Sequence, residues 1–276
     1  FPKKTGIFEP LNTLTEMKKK YILFIFSLSF LFSGYSFLPV LAEEPKPVKI
    51  LSYNVRNARG MDDVVDYNRV AAVIKRIDAD CVALQELDSA TIRSKGLVVL
   101  DELAKRTGLY ASYNKSIDYQ GGGYGIGVLT KEQPLRKESV TLPGREEQRS
   151  LLIVEMKDYV ICCTHWSLKQ PDRLASVGII RKAVEKFTSK PVFLAGDLNA
   201  VPQSEEIAAL SADWCAVNDT AAYTSPAHNP RRCIDYILVK NDPHVRIQVV
   251  GTKVENEPVA SDHLPVWTKL SIKKNQ

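Results

Sequence analysis

Short apolar runs that end at a polar residue are the commonest pattern along this chain. Residues 48–54 alternate apolar and polar side chains and end at Asn54, which predicts a half-buried strand. Residues 191–195 are continuously apolar, as in a fully buried strand, and lead directly into Gly-Asp-Leu-Asn at 196–199. Further strands are predicted at 81–84, 126–130, 150–156, 159–164, 234–239, 246–252 and 264–272.

Apolar residues three and four positions apart predict helices between some of these strands. Helices are predicted at 69–77, 98–106, 171–188 and 205–210. Three consecutive glycines at 121–123 predict a mobile loop. Because many strands follow one another without a helix, the pattern favours mixed sheets with helices packed outside over a purely parallel doubly wound fold.

The first 42 residues differ from the rest of the chain. Three lysines follow Met17, an apolar run covers 21–41, and a small-residue site ends at Ala42, which is the order of a secretory signal. We predict a signal peptide at 17–42 and export to the periplasm or the medium. The alternative is a signal anchor, since the run is nearly long enough to span a bilayer.

The remaining segments give a simple domain plan. Residues 1–16 carry no initiating Met and are interpreted as translated upstream sequence, and the Pro-rich residues 43–47 as a leader. We find no Pro/Gly/Ser linker after residue 47, which predicts a single domain at 48–276. No stable protein partner is implied, and we expect a monomer.

Charge limits the partners of the exported chain. Cleavage after residue 42 would remove five lysines and two glutamates from the 37 basic and 32 acidic residues, which leaves a net charge near +2. Such a surface has no broad positive field for nucleic acid, so binding to a polyanion would need a local patch.

Five cysteines are present, and the odd number leaves at least one thiol unpaired in a monomer. Cys81, Cys162 and Cys163 lie in buried-strand patterns and are interpreted as core thiols. Export would permit disulfides. Cys215 and Cys233 flank a long polar loop, so we predict a disulfide between them, with two separate thiols as the alternative.

Polar side chains at strand ends form the candidate site. Asp235 lies in the apolar segment Ile-Asp-Tyr-Ile, where a charge is costly unless it is paired or bound to an ion. Carboxylate and amide oxygens favour a hard cation such as Mg²⁺ or Mn²⁺, and histidines could transfer protons. We also expect the small residues Gly196 and Ala200 to let a bulky anion approach the backbone. The candidates are Asn54, Glu86, His165, Asp197, Asn199, Asp235, Asp262 and His263.

Six short motifs occur in one order along residues 48–272. They are Ser-Tyr-Asn at 52–54, Leu-Gln-Glu at 84–86, Thr-His at 164–165, Gly-Asp-Leu-Asn at 196–199, Ile-Asp-Tyr-Ile at 234–237 and Ser-Asp-His at 261–263. In this order the chain resembles the endonuclease/exonuclease/phosphatase superfamily. The resemblance implies an α+β fold, a four-layer sandwich of two mixed β-sheets flanked by helices, with the site at one end of the sheets.

The resemblance also implies roles. Glu86 would be the principal ligand of one or two Mg²⁺ or Mn²⁺ ions, helped by Asn54 and Asp262. Asp197 and Asn199 would hold the scissile phosphate, the attacking water or a second ion. His263, oriented by Asp235, would act as base or orient water. His165 would stabilise the charge of the transition state or protonate the leaving oxygen.

Two further residues have open interpretations. Arg149 matches an arginine often found at this position in the superfamily, as a phosphate contact or as a structural ion pair. Tyr124, in the glycine-rich segment, would contact phosphate or serve packing. The signatures of inositol phosphatases are absent, since residue 201 is Val and no arginine follows Asp235.

Three classes of function follow from these observations. We predict a secreted, magnesium-dependent phosphoesterase that cleaves phosphodiester bonds of nucleic acid in the manner of an endonuclease, with Arg231 and Arg232 as candidate backbone contacts. The alternative is a phospholipase C-type, sphingomyelinase-like or small-molecule phosphoesterase, whose substrate could be a phospholipid head group. A binding protein on a catalytically inactive fold is a more remote alternative, since every acid and histidine of the motifs is present.

Overall fold

The computed structural model describes residues 47–274. The predicted upstream extension at 1–16, the predicted signal peptide at 17–42 and all but the last residue of the predicted leader lie outside the described residues. Within residues 47–274, no helix is both long enough and apolar enough to cross a membrane.

The strands in this range are β1 (Val48–Asn54), β2 (Cys81–Ser89), β3 (Tyr110–Tyr119), β4 (Gly122–Thr130), β5 (Arg136–Leu142), β6 (Arg149–Glu155), β7 (Val160–His165), β8 (Val192–Asp197), β9 (Trp214–Ala216), β10 (Asp235–Lys240), β11 (Val245–Val254) and β12 (Val266–Lys274). The helices are α1 (Tyr67–Ile77), α2 (Val99–Thr107), α3 (Gln170–Val184) and α4 (Glu205–Leu210).

The strands form two six-stranded sheets. Sheet I has the order β11-β12-β1-β2-β4-β3, and sheet II has the order β5-β6-β7-β8-β10-β9. Each sheet has one central parallel pair, β1 with β2 and β7 with β8, while its other pairs are antiparallel. These are the mixed sheets that the sequence predicts.

Three apolar clusters hold the layers together. One lies between the sheets and contains Ile50, Ile161 and Phe193. A second packs α1 and α2 on the outer face of sheet I, and a third packs α3 and α4 on the outer face of sheet II. The predicted four-layer sandwich is therefore confirmed.

Helix α1 illustrates how the sequence produces an outer layer. Asp66 caps its first turn by accepting hydrogen bonds from the backbone N–H groups of Asn68 and Arg69. Its apolar residues, spaced for one helical face, are buried, among them Val70 and Ile74. The helix predicted at 69–77 is confirmed.

Alternation along the strands decides which polar residues meet at the site. In β8, Phe193 and Ala195 face the layer between the sheets, so Asp197 has the same parity. In β7, Ile161 and Cys163 face this layer and place His165 on the same face. The regular pleat therefore directs both strand-end side chains inward.

The predicted mobile loop at 121–123 is wrong. Gly122 and Gly123 belong to β4, and a two-residue turn at Gln120 and Gly121 joins it to β3. Both turn residues have positive φ, 48° and 79°, as a tight hairpin requires. Strand β3 escaped prediction because its burial pattern is mostly half-buried or exposed and gives no apolar alternation. The edge strands β5 and β9 also escaped prediction.

The predicted disulfide between Cys215 and Cys233 is not formed, and the five cysteines are free thiols. Cys215 is exposed on β9 and lies opposite Val239 of β10. Cys233 is buried before the other end of β10. The four strand steps from Asp235 to Val239 alone span about 13 Å, whereas bridged Cα atoms lie within about 7 Å.

Gly196 serves packing instead of ligand access. A Cβ at this position would lie 2.0 Å from the carbonyl oxygen of Thr164 on the neighbouring strand. The glycine therefore permits the close approach of β7 and β8. The expectation that its small size opens the backbone to an anion is wrong.

Candidate active site

Asp197 lies at the centre of the polar groups where the two sheets end. The Nε2 atoms of His165 and His263 lie 3.4 and 3.7 Å from its Oδ2 atom. From sheet I, Asn54 Nδ2 donates a hydrogen bond of 3.2 Å to the same oxygen. The carboxylate is 2% exposed, so these contacts operate with little screening by solvent.

Asp235 holds one of these histidines. It lies opposite Asp197 in the antiparallel register of β8 and β10. Its Oδ2 atom lies 2.9 Å from His263 Nδ1. Thr224 Oγ1 donates to the same oxygen at 2.5 Å. The expectation that a charge within Ile-Asp-Tyr-Ile needs a partner is met by these two groups. They leave His263 Nε2 facing Asp197.

Glu86 reaches the site through an irregularity in β2. Its strand parity matches that of Val82 and Leu84, which face the outer helices. A bulge places Gln85 and Glu86 opposite a single residue of β4, and Glu86 adopts a φ of 61°. Bulges re-aim side chains in this way. As a result, Asn54 Nδ2 donates a 2.9 Å hydrogen bond to Glu86 Oε1.

Asn199 supports the site from the turn after β8. Its backbone N–H donates to Asp197 Oδ1 at 2.9 Å, and its Nδ2 donates to the carbonyl of Trp166 at 2.9 Å. Its φ of 48° is tolerated because asparagine visits the left-handed region more readily than most residues. The amide group joins the ends of β7 and β8, so Asn199 orients Asp197.

Asp262 lies at the edge of this group. Its side chain is 40% exposed, and the Nε atom of Arg56 lies 4.0 Å from its Oδ2 atom. Ser261 Oγ donates to the carbonyl of Asn54 at 2.7 Å, which ties the Ser-Asp-His segment to the end of β1. The negative charge of Asp262 acts on both Glu86 and His263.

The two histidines have opposite electrostatic environments. Burial lowers the pKa of His165 to about 4, and Asp197 opposes this only in part. Burial also disfavours charge on His263, but Asp235 and Asp197 outweigh it and raise its pKa to about 10. His263 is therefore the cationic member of the pair, and His165 the neutral one.

The donor set fits a divalent cation. Burial raises the pKa of Glu86, and the hydrogen bond from Asn54 offsets this only in part, so the carboxylate lacks a full counter-charge. Asp235 Oδ1 is buried without a hydrogen-bond partner among the described residues. Donor atoms of Asp197, Asp235 and His263 also lie within 4.8 Å of one another, but His263 is cationic and bonded to Asp235, so Glu86, Asn54 and Asp262 remain the expected ligands. Carboxylates predominate, as a hard cation requires.

The contacts of Arg149 and Tyr124 favour structural roles for both residues. Arg149 is 6% exposed, and its guanidinium lies 3.5 Å from Glu146 and 3.3 Å from Glu147. The ring of Tyr124 packs on that of Tyr119 with centroids 5.9 Å apart. Both residues nevertheless lie within electrostatic range of the site, because Arg149 lowers the pKa of His165 and Glu86 raises that of Tyr124.

Several residues at the site escaped prediction. Thr224 lies in a long polar loop without a regular pattern, and Arg93 lies in the loop after β2. Arg56 follows Asn54 by two positions, and this proximity was the one available signal. Arg56 and Arg93 both line a cavity of about 440 Å³ beside Glu86.

Comparison with known proteins identifies the class to which this site belongs. A model of the Endonuclease/Exonuclease/phosphatase family matches residues 51–263. The chain belongs to this family, whose members are metal-dependent phosphoric ester hydrolases. Comparison with curated proteins found no match.

Solved structures share the fold. An endonuclease/exonuclease/phosphatase from Bacteroides vulgatus has 19% sequence identity and a TM-score of 0.68, covering 83% of this chain and 100% of that one. A mannosyl-6-phosphatase from Bacteroides thetaiotaomicron VPI-5482 has 17% identity and a TM-score of 0.64, with coverages of 81% and 99%. D. rerio TDP2 complexed with single-strand DNA product has 19% identity and a TM-score of 0.60, with coverages of 82% and 99%.

Proposed function

We propose that this protein is an exported, magnesium-dependent phosphodiesterase that cleaves nucleic acid. The observation that carries the proposal is the convergence of side chains on Asp197. His165, at the end of β7, and His263 approach its carboxylate from one side. Asn54 of sheet I, which also binds Glu86, approaches it from the other sheet. The Asp197 carboxylate offers negative charge to a cation or a water molecule, and a histidine nitrogen that can donate or accept a hydrogen bond lies on each side of it.

The reaction is hydrolysis with displacement at phosphorus. Water supplies the oxygen that bonds to phosphorus and releases a proton, which the Asp197 carboxylate can accept. The bond from phosphorus to the leaving alkoxide breaks, and the alkoxide takes up a proton. Glu86, Asn54 and Asp262 would hold the divalent cation, which neutralises phosphate charge when bound. Asp197 orients the attacking water, and the backbone N–H of Asn199 holds Asp197 in place.

The histidines are positioned for contacts with the phosphate and the leaving group. Asp235, which accepts a hydrogen bond from Thr224, holds His263 through Nδ1, so the other ring nitrogen projects toward Asp197. The Nε2 atom of His165 approaches the same carboxylate from the end of β7. A phosphate bound beside Asp197 would therefore have an imidazole on each flank, suited to stabilising charge and transferring a proton.

Nucleic acid is the proposed substrate because the loop with Arg231 and Arg232 borders the site. Thr224 of this loop binds Asp235, Ala227 N donates to the carbonyl of Asp262, and both arginines are exposed. One fold relative was solved with a single-strand DNA product, which supports this choice. With a net charge near +2, we expect backbone contacts without strong sequence preference.

A second candidate is hydrolysis of a phospholipid head group. Three apolar residues of one loop, Met61, Val64 and Val65, are exposed by 36%, 52% and 41%. Val65 also lines the cavity beside Glu86. An apolar loop at the edge of a catalytic cleft suits contact with a lipid surface.

The test is a substrate panel of DNA, RNA, sphingomyelin and phosphoinositides, with Mg²⁺ or with a chelator. We expect cleavage of DNA or RNA that stops on chelation and returns with Mg²⁺ or Mn²⁺. Cleavage that survives chelation would contradict metal dependence. Cleavage of sphingomyelin alone would move the assignment to the second candidate.

Glu86→Gln separates metal binding from the rest of the site. We expect it to weaken Mg²⁺ binding, measured by calorimetry, by about 10- to 100-fold, since even outer-shell changes have effects of this size. The matched control is Glu102→Gln on α2, which removes a partly exposed carboxylate paired with Arg106. Equal Mg²⁺ affinity in the Glu86→Gln and Glu102→Gln proteins would exclude Glu86 as a ligand.

A further inference from the structure

A cavity lined by arginines opens beside the candidate metal site. Its volume is about 440 Å³, and its wall includes Arg56, Arg59, Arg93 and Asn57. Glu86 also lines it, so the cavity is continuous with the group that would hold the cation. The proposed chemistry at Asp197 leaves this space unused.

One wall is a strained turn that follows β1. Arg56, Asn57 and Ala58 have φ values of 46°, 55° and 58°, which is a run of three non-glycine residues in the left-handed region. Such backbone is unfavourable for residues with a Cβ and persists only where surrounding contacts enforce it. Here Ala58 N donates to the carbonyl of Val55 at 2.7 Å, and Arg59 N to that of Arg56 at 2.8 Å.

The opposite wall holds Arg93 in a defined orientation. Its Nε and Nη2 atoms donate to the two carboxylate oxygens of Asp88 at 2.6 and 2.7 Å, and Asp88 is fully buried. The guanidinium also lies 4.6 Å from the centroid of the Tyr119 ring. With 41% of the side chain exposed, Arg93 still presents part of its charge to the cavity.

Arginine is the commonest residue along the lining. Three guanidinium groups line the cavity together with two carboxylates, Asp63 and Glu86, and Asp88 and Asp262 lie 2.6 and 4.0 Å from Arg93 and Arg56. Asp63 is shared, since it lies 3.7 Å from Arg56 and 3.1 Å from Arg59. A divalent cation bound at Glu86 would make the positive charges outnumber the four carboxylates, so an anion is the ligand that the loaded site favours.

Asn57 lies in the same wall but its amide oxygen does not reach the cavity. The residue is 6% exposed, and its Oδ1 atom is inaccessible to solvent and has no hydrogen-bond partner among the described residues. A buried acceptor without a partner is costly, which adds to the strain of this turn. The arginines are therefore the groups that this wall offers to a ligand.

We propose that Arg56, Arg59 and Arg93 bind a second phosphate group of the substrate, separated from the scissile phosphate by a sugar or polyol. The guanidinium fork matches phosphate oxygens, which explains the use of arginine at all three positions. The inference rests on the proposed phosphodiesterase function and names the feature of the substrate that the same site selects. The second phosphate belongs either to a nucleic acid backbone or to a small bisphosphorylated ester.

The kinetic test compares two chromogenic substrates, the p-nitrophenyl ester of thymidine 5′-phosphate and the same ester with a 3′-phosphate. We expect Arg59→Gln and Arg93→Gln each to raise KM for the 3′-phosphorylated ester by about 10-fold, as loss of a charged hydrogen bond does. KM for the other ester and both kcat values should stay within about 2-fold. Arg93→Lys, which keeps the charge without the fork, should have an intermediate effect.

Arg76→Gln and Arg136→Gln are the matched controls. Arg76 pairs with Glu257, and Arg136 pairs with Glu155 and lies over the Phe187 ring, with side chains 55% and 59% exposed and neither residue lining the cavity. Neither control should change the ratio of the two KM values. An unchanged ratio in the Arg59 and Arg93 variants, or the same change in the controls, would overturn the subsite.

A binding measurement separates this inference from the proposed function. Thymidine 3′,5′-bisphosphate is titrated calorimetrically into the parent, Arg59→Gln and Arg93→Gln proteins in Mg²⁺. Weaker binding to both variants supports the subsite even if the parent cleaves no ester, whereas equal binding overturns it even if the parent is active. The source of the second phosphate is tested with two thymidine dinucleotides, one with a terminal 3′-phosphate and one without. Preference for the phosphorylated dinucleotide assigns the second phosphate to nucleic acid, and equal binding of the two assigns it to small esters.

Discussion

The ends of the two sheets contribute to one site through different kinds of structure. At the end of sheet II, His165, Asp197 and Asp235 are buried on regular strands, and each has at least one polar partner in the cluster. At the end of sheet I, Glu86 and Arg56 have left-handed backbone, and the arginine lies in an open cavity. One region is a closed cluster of reactive groups, and the other is an open ligand-binding surface.

This difference shows how the fold divides its tasks. Regular pleats repeat the same geometry, so they hold the groups that must be aligned with the scissile bond. Bulges and left-handed turns direct side chains where a pleat cannot, so they shape the space for the cation and the substrate. Changes in the sheet II cluster should therefore affect turnover, and changes around the cavity should affect binding.

The largest effect is expected for Asp197→Asn. The variant keeps the size of the side chain but removes the charge that both histidines and Asn54 approach. We expect kcat to fall by about 1,000-fold or more, as for loss of a group that acts in the transition state. The measurement is steady-state hydrolysis of the substrate identified by the panel, with circular dichroism to verify folding.

Asp172→Asn is the matched control for this change. Asp172 is also buried, at 4% exposure, but its carboxylate binds Arg145 and Ser167. We expect it to lower stability by about 1 to 3 kcal/mol and to leave kcat within a few-fold of the parent value. A folded Asp197→Asn protein with the turnover of Asp172→Asn would remove Asp197 from the mechanism.

An intermediate effect is expected for the titration of the two histidines. In chelator-treated protein, NMR titration should give a pKa of about 4 for His165 and about 10 for His263. Because Asp197 raises both values, Asp197→Asn should lower both. Similar pKa values for the two histidines in the parent would break the contrast between them.

The same shifts predict how the stability of metal-free protein varies with pH. The pKa of His165 is lowered by folding, so its contribution is complete above about 6.5 and is lost as the pH falls toward 4. The pKa of His263 is raised, so its contribution is complete below about 6.5 and is lost as the pH rises through 10. Urea unfolding across this pH range measures both contributions. We expect His165→Asn to reduce the loss of stability at acidic pH and His263→Asn to reduce the loss of stability at basic pH.

Much of the site could be predicted because alternation and strand ends leave a clear pattern. Asn54, His165 and Asp197 close apolar strands with the parity that faces the other sheet. The motifs that contain them also carried the resemblance to the family that the match over residues 51–263 confirms. A buried strand whose last inward position is polar is thus readable from sequence alone.

The remainder depends on backbone that no periodicity encodes. Glu86 has the parity of the helix-facing residues and reaches the site only through its bulge. The left-handed run at 56–58 has no glycine to signal it, and the residues that line the cavity come from two loops and from the bulge in β2. Thr224 comes from a third loop and is separated from its partner Asp235 by 11 positions.

The smallest effect is expected at Cys215, where a sequence argument from loop length failed. Cys215 is exposed on β9, whereas Cys233 is buried beside Asp235 and burial raises its pKa to about 12. A thiol reagent should therefore modify one cysteine rapidly in the native protein and all five after unfolding, as counted by mass spectrometry. Cys215→Ser should remove the rapid modification and leave the unfolding free energy within about 0.5 kcal/mol of the parent, because surface changes have effects of this size. A loss of about 2 kcal/mol or more under oxidising conditions, together with protection of both thiols, would instead indicate that the disulfide forms.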